Sequence, residues 1–347
     1  MDIFSIKRYM ALSSILLGIV FSLGASAKET VNVSLFSWPG YGFWFIAKEK
    51  NFVKDLDLNI SIIEDPYESF GLMNAGKLDV TSSTVEYGPI AADTAQPIRL
   101  VAYTNPSYGT DKIILSPDIK DPSQLKGKSV AVMEGGLTQI YMGIWLTENG
   151  ISLDDITFTN VIMDDAVAAM VGGTVAGGEY WEPFGSAVLE NLPGSRVVAS
   201  SLEPYWLKTA LLGDGMYMNA DFIAKRPKAA RMTMEAYFKA VDFWKKNPQE
   251  GNAIIAKGIS FSPADVESVI GKTGKPHKGG IAIFSLEDSA KFMGVMDGAP
   301  MLDLKNNQIA EHWELTNTWW VKFGMINKAQ PIEKGISLTP LKELVKK

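Results

Sequence analysis

Ser37-Trp38-Pro39-Gly40-Tyr41-Gly42-Phe43 stands between a β-branched run, Val31-Asn32-Val33-Ser34-Leu35, and an apolar helical pattern, Phe43-Trp44-Phe45-Ile46-Ala47. A proline and two glycines between two such segments demand a tight strand-to-helix turn. Trp38 and Tyr41 fall on the turn itself. In an open α/β sheet, ligands collect outside the carboxyl ends of the strands. The two rings are therefore either a ligand wall or a staple packed under the turn.

Outward from that turn the chain alternates strand and helix. A strand over Val31–Phe36 and a helix over Tyr41–Lys50 are followed by a strand over Leu58–Ile63. Asp65 then reads as an N-cap with Pro66 at the first helical position, opening a helix from Tyr67 to Ala75 that Gly76 ends. Leu78-Asp79-Val80 is a short strand, Thr81 to Thr84 lead into a helix over Val85–Ala95, and Ile98–Tyr103 is a fourth strand. Asn105 to Gly109 reads as a turn-rich joint. A second unit of the same kind follows, with strands over Lys112–Ser116, Ser129–Met133, Ile156–Val161, Val175–Trp181 and Arg196–Ser200. Its helices are expected over Leu137–Asn149, Ala166–Val171 and from Pro183 to Asn191. From Leu211 the chain re-enters the first unit. There a long helix over Arg226–Lys246 places Met234, Tyr237, Phe238, Val241 and Trp244 on one face, and helices near Pro248, Pro263, Leu286 and Glu311 follow. The rhythm predicts an α/β architecture with parallel strands.

Composition narrows the function. Lys7 and Arg8, an apolar stretch from Met10 to Leu23, and Ala25-Ser26-Ala27 have the form of a secretory signal peptide over residues 1–27, cleaved after Ala27. Its apolar stretch is shorter than the roughly 18 to 20 residues that span a bilayer. The remaining chain is long enough for two domains, and 46% hydrophobic with 21% charged residues is the balance of an ordinary globular protein. The absence of cysteine excludes a lipid-anchored cysteine, a disulfide framework, thiolate chemistry and cysteine metal sites. Without Lys7, Arg8 and Asp2 the chain holds 31 basic and 38 acidic residues, a net charge of −7, which suits neither nucleic acid nor an anionic membrane surface.

Motifs for catalysis are missing. The two histidines, His277 and His312, have no neighbouring carboxylate motif. No nucleophile elbow, metalloprotease helix, phosphate loop or dinucleotide glycine pattern is present. Asp154-Asp155 and Asp164-Asp165 fall at helix starts, where carboxylates complement the helix dipole. What remains is a set of strand-end loops rich in rings, hydroxyls and carboxylates: Trp38 to Tyr41, Asp65 to Tyr67, Thr81 to Tyr87, Glu134 to Thr138 and Glu179 to Phe184. If the two units face one another, these loops converge on a binding cleft rather than a reaction centre. No cofactor or metal is expected.

Five segments, in this order and spacing, carry a family resemblance: Ala47-Lys48-Glu49-Lys50-Asn51-Phe52, Ala75-Gly76-Lys77-Leu78-Asp79-Val80, Leu125-Lys126-Gly127-Lys128-Ser129-Val130-Ala131-Val132, Trp181-Glu182-Pro183-Phe184 and Phe243-Trp244-Lys245-Lys246-Asn247-Pro248. Through them nearly the whole mature chain resembles the periplasmic solute-binding proteins of ABC transporters in the nitrate/sulfonate/taurine group, which includes binders of thiamine-pyrimidine precursors. The resemblance implies a two-lobed fold of type II kind, each lobe a mainly parallel sheet flanked by helices. Lobe one would comprise residues 28–104 and 213–347, and lobe two residues 105–212, with crossovers near Tyr103–Gly109 and Ser201–Gly213. It implies a small-molecule ligand in the cleft, a monomer in the periplasm, and an inner-membrane ABC permease as partner. Ligand contacts carried over from the family fall on Trp38 and Tyr41, on Ser82, Ser83 and Thr84, and on Gly136, Leu137 and Thr138. Trp181 and Glu182 come from the Trp-Glu-Pro motif, which has a structural alternative: Pro183 at a first helical position with Glu182 as its cap.

The chain departs from sulfonate binders at Glu134-Gly135-Gly136-Leu137-Thr138, where those tend to have Gly-Ser before the helix. A carboxylate there competes with an anion for the helix start. Rings with carboxylates suit a cation or an amine-bearing ring. The expectation is therefore an importer's receptor for a small nitrogen-containing solute of amine, amide or pyrimidine type. Trp38, Tyr41, Tyr67, Tyr87 and Trp181 would form the walls, and Glu134 or Glu182 would accept N–H donors. The alternatives are an anion receptor for taurine, an alkanesulfonate or nitrate, a sensor lobe for a membrane signalling partner, and a pyrimidine-precursor enzyme on the same fold. The lack of cysteine weighs against the last.

Overall fold

A computed structural model describes residues 28–346; the expected leader lies outside the described residues. Among the described residues the eleven strands are β1 Glu29–Leu35, β2 Leu56–Ile62, β3 Val80–Thr84, β4 Ile98–Tyr108, β5 Lys112–Leu115, β6 Ser129–Val132, β7 Thr157–Asn160, β8 Gly177–Tyr180, β9 Arg196–Ser200, β10 Gly213–Asn219 and β11 Gly280–Ile281. They form two sheets, of order β11-β4-β10-β3-β1-β2 and β7-β6-β8-β5-β9, with helices flanking both. The two-lobed α/β architecture holds.

The sheets are mixed rather than mainly parallel. β1 pairs parallel with β2 and β3, and β6 pairs parallel with β7 and β8. β10 runs antiparallel to both β3 and β4, and β5 antiparallel to β8 and β9. The crossings explain this. β4 carries the chain out of sheet one and β10 brings it back, so two paired crossing strands must run in opposite directions. The expected joint at Asn105 to Gly109 is largely strand: β4 continues through Pro106 to Tyr108. Pro106 forfeits one donor, while Ser107 N–H reaches the Leu212 carbonyl at 2.8 Å and the Pro106 carbonyl accepts from Ala282 N–H at 3.2 Å. Thr81 to Thr84, expected as a lead into a helix, form β3 itself.

Local chemistry fixes the strand ends. Asp65 Oδ1 accepts the Tyr67 N–H at 2.8 Å and caps the helix Pro66–Asn74 as its Asp-Pro pair predicts. The helix Pro227–Lys246 buries Met234, Tyr237, Phe238, Val241 and Trp244. Tyr237 and Trp244 stand edge-on to Phe43 at 5.9 and 5.6 Å between ring centres, fixing the helix Phe43–Lys50 that follows the Trp38 turn. Pro183 is the cap residue before the helix Phe184–Asn191 rather than its first residue. The larger apolar core runs without a break from Val31 and Val33 of sheet one to Ala131 and Tyr180 of sheet two.

Candidate functional site

The chain leaves β1 extended at Trp38 (φ −141°), and a short 3-10 turn over Pro39–Tyr41 follows. The Trp38 indole lies over Gly40 so closely that a Cβ there would stand 2.0 Å from Cζ3. Tyr41 is edge-on to Trp38 at 5.2 Å and to Phe36 at 4.9 Å, and Phe36 lies 5.9 Å from Trp181. Trp38 Nε1 donates to the Glu182 carbonyl at 3.2 Å, joining the two lobes. The turn thus both staples and walls: its rings are buried, and they line the cavity between the sheets.

That cavity is narrow as the lobes stand here, with about 30 Å³ open to water-sized molecules. Of the residues expected at a site, the structure brings Trp38, Tyr41, Ser83, Thr84, Tyr87, Gly136, Leu137, Thr138 and Trp181 together around it. Thr84 Oγ1 accepts the Leu137 N–H at 3.3 Å across the lobes. The helix Leu137–Glu148 starts at Gly136 with no side chain capping it. Thr138 instead closes its own loop, accepting from Met133 N–H at 2.6 Å and donating to the Met133 carbonyl at 3.1 Å. The Tyr87 hydroxyl presses on Gly136 and the Tyr67 hydroxyl on Gly135, where any Cβ would collide. Gly135 is also left-handed, at φ +76°.

Four expected residues stand apart from the cavity. Ser82 Oγ accepts from Trp44 Nε1 at 2.9 Å within the core. Tyr67 and Glu134 line a neighbouring groove at the seam with Asp65 and Asn160, and Glu134 is exposed. Glu182 is consumed by the protein: Oε1 meets Lys112 Nζ at 2.6 Å and Oε2 accepts the Ser186 N–H at 3.2 Å. Neither Glu134 nor Glu182 therefore presents its carboxylate to the cavity.

The acids that do line the cavity, Asp111 and Asp214, were not anticipated. Tyr41 donates its hydroxyl proton to Asp214 Oδ1 at 2.5 Å. Burial raises the Asp214 carboxyl well above its ordinary range, with Asp111 and Glu86 adding repulsion. Asp111 is pushed up to about 6 by burial, held back by the Ser107 hydroxyl, the Glu179 carboxyl and the Lys112 ammonium. Glu179 behind it is raised well above the ordinary range by burial first and Asp111 second. No Lys or Arg lines the cavity. A signal for Asp214 was available: it is the one charge in the apolar run from Leu211 to Met218. Its flanking glycines, Gly213 and Gly215, lie on β10 and accommodate the Tyr103 ring and the Leu100 methyl. Asp111 carries no such mark.

His312, which has no neighbouring carboxylate motif in sequence, meets Glu86 in the fold. Its Nε2 lies 3.6 Å from Glu86 Oε1 and 2.9 Å from the Leu211 carbonyl, with both side chains fully buried. The partner is remote in sequence, so no local motif announces it. Among the described residues, no three His, Asp or Glu side chains are grouped to hold a metal ion.

The NMT1/THI5-like family model matches residues 38–251. A protein of Brucella abortus known only as a binding protein is 23% identical over 196 residues, which is 56% of this chain and 60% of the relative's length. The periplasmic aliphatic sulphonate binding protein of Escherichia coli superposes with a TM-score of 0.66 at 17% identity, over 90% of this chain and 92% of its own. The alkanesulfonate-binding protein of Xanthomonas axonopodis, bound to MOPS, gives 0.69 at 14% identity, over 90% and 99%. The chain has the periplasmic binding-protein fold and belongs to the NMT1/THI5-like family.

Proposed function

We propose that the protein is the solute-binding component of an ABC importer, acting as a monomer in the periplasm after cleavage at Ala27. It captures a small nitrogen-containing solute, of amine, amide or pyrimidine type, between lobe one (residues 28–104 and 213–347) and lobe two (residues 105–212). The observation that carries the reading is the cavity lining: Phe36, Trp38, Tyr41, Tyr87 and Trp181 supply rings, Asp111 and Asp214 supply carboxyls, and no cationic side chain is present. Rings bury flat apolar area, and a carboxyl accepts or donates hydrogen bonds according to its protonation. Closure of the lobes on the solute would present one conformation to the permease, the ligand's preference for that state providing the shift.

One observation favours an anion instead. The helix Leu137–Glu148 begins at the cavity without a side-chain cap, and the structural relatives named for sulfonates share the fold. A helix start contributes about 0.3–1 kcal/mol to an anion, up to about 2 kcal/mol when partly buried. The Asp111 carboxyl, ionised above about pH 6, would repel the same anion, and no cationic side chain lines the cavity to offset it. The amine reading therefore leads.

The test is thermal-shift screening followed by calorimetry with amines, amides, pyrimidines, alkanesulfonates and nitrate. Stabilisation is expected from nitrogen compounds, growing with concentration as binding to the native state requires. Stabilisation by sulfonates or nitrate alone would sink the assignment.

A further inference from the structure

The carboxyls of the cavity belong to a larger set. Asp214 on β10 and Asp111 before β5 form part of the lining; Glu179 on β8 and Glu86 after β3 stand near them, all four buried. Buried carboxylates are ordinarily matched by cations or several donors. Here the matching is incomplete. Lys112 is paired with Glu182, Glu179 meets Asp111 rather than a cation, and Glu86 has no hydrogen-bond partner, with His312 3.6 Å away as its ion-pair contact. Two further buried groups of the cavity wall, the Ser83 hydroxyl and the Trp181 indole N–H, have no protein partner either.

The approach to the cavity has the same sign. Two grooves adjoin it along the seam, sharing Met133 with it. One is lined by Glu64 and Asp164, the other by Asp65 and Glu134, so each brings one carboxylate from either side of the seam. No Lys or Arg lines either groove. The four acids at the rim give the approach a negative field that concentrates cations and disfavours anions.

We propose that the solute is a cation whose charged nitrogen is held by Asp111 and Asp214, with the Trp181 indole N–H and the Ser83 hydroxyl available to its other polar atoms. This rests on the nitrogen-solute reading and adds its charge. The rings follow from it: a cationic head gains cation–π energy from Trp38, Tyr41 and Trp181 that a neutral isostere does not. Charge-assisted bonds to the two carboxyls add to the difference. The groups facing Asp111 are Ser107, Lys112, Glu179 and Glu86; those facing Asp214 are Tyr41, Asn105, Asp111 and Glu86, with His312 against Glu86. A cation favours the ionised carboxyls, so its affinity rises with pH through about 6, where Asp111 titrates.

Two isosteric pairs test the charge on the unmodified protein: benzamidine against benzamide, and 2-phenylethylamine against 2-phenylethanol, with benzenesulfonate as the anion. Calorimetry should show each cation binding about tenfold or more tighter than its neutral partner, the preference shrinking below pH 6. D214N and D111N, their folding checked by near-ultraviolet circular dichroism, should each reduce the preference to within about threefold. Equal or tighter binding of the neutral members, or no binding of either cation at millimolar concentration, overturns the proposal. Stabilisation by benzamide or neutral pyrimidines without the cations would overturn the charge while sparing the nitrogen reading. Binding of benzenesulfonate alone would overturn both.

Discussion

At the scale of single residues, Asp111 shows how a binding wall and a stable fold conflict. Its carboxyl is raised from 3.8 to about 6, so between these values the native state holds a proton that the unfolded chain has released. Stability therefore falls as pH rises from about 4 to about 6 and then levels, a loss of about 3 kcal/mol from this one group. D111N removes that loss. It should be more stable than the parent by about 1–3 kcal/mol at neutral pH, with a flatter profile between about pH 4 and pH 6. Denaturant unfolding across that range checks it, and a less stable D111N at neutral pH would refute the assignment. The residue scale is also where sequence reading had least to work with. Asp65 was legible because Asp-Pro before a helix is a local signal. Asp111, the Lys112–Glu182 pair and His312 against Glu86 depend on partners that only tertiary structure supplies. Glu134 and Glu182 sat in the right loops, but a position in a loop does not set where a carboxylate is spent.

At the scale of elements, the helix Gln308–Lys322 deserves its aromatic content. Trp313 and Trp320 form a buried stripe on it. The stripe has two destinations. Trp320 Nε1 donates to the Glu86 carbonyl at 2.7 Å, while its ring packs in the core of sheet two with Ile113, Leu115 and Tyr141. Phe323, at the helix end, lies over Gly143 of the helix Leu137–Glu148, where a Cβ would come within 2.6 Å of the ring. One helix from the C-terminal third thus seats on both lobes. G143A should be nearly neutral, since an alanine gains about 1 kcal/mol of helix propensity against a similar packing cost. G143L adds bulk without further propensity and should lose about 1–3 kcal/mol. Thermal unfolding of the pair separates the effects, and an unaltered G143L would show that the contact yields freely. The elements themselves were largely readable, because hydrophobic period and caps are local; the antiparallel pairing of β10 was not, because pairing partners are set by the path of the chain.

At the scale of the molecule, direct bonds join the lobes on both sides of the cavity: Trp38 to the Glu182 carbonyl and Leu137 N–H to Thr84 at the cleft, and Gln308 to the Lys208 carbonyl and His312 to the Leu211 carbonyl beside the crossover. The glycines Gly135 and Gly136 let Tyr67 and Tyr87 meet the facing lobe at close range. A molecule seated in the cleft would add contacts to both lobes and favour the closed form. Small-angle scattering should show a smaller radius of gyration with a saturating amine or pyrimidine than without. An unchanged radius at saturation would count against a clamp. The two-lobe plan was legible from five dispersed segments, since family spacing records the whole path of the chain even where single segments are weak.

The threading of β10 between β3 and β4 also governs the order in which the molecule can form. When a ribosome has delivered the first 200 residues, every strand of sheet two is present, whereas sheet one lacks the strand that joins its halves. β3 and β4 have no common neighbour until residues 213–219 emerge. Contacts of such sequence separation form slowly. The side of the cavity that rests on sheet one therefore stays unassembled until most of the chain has been made.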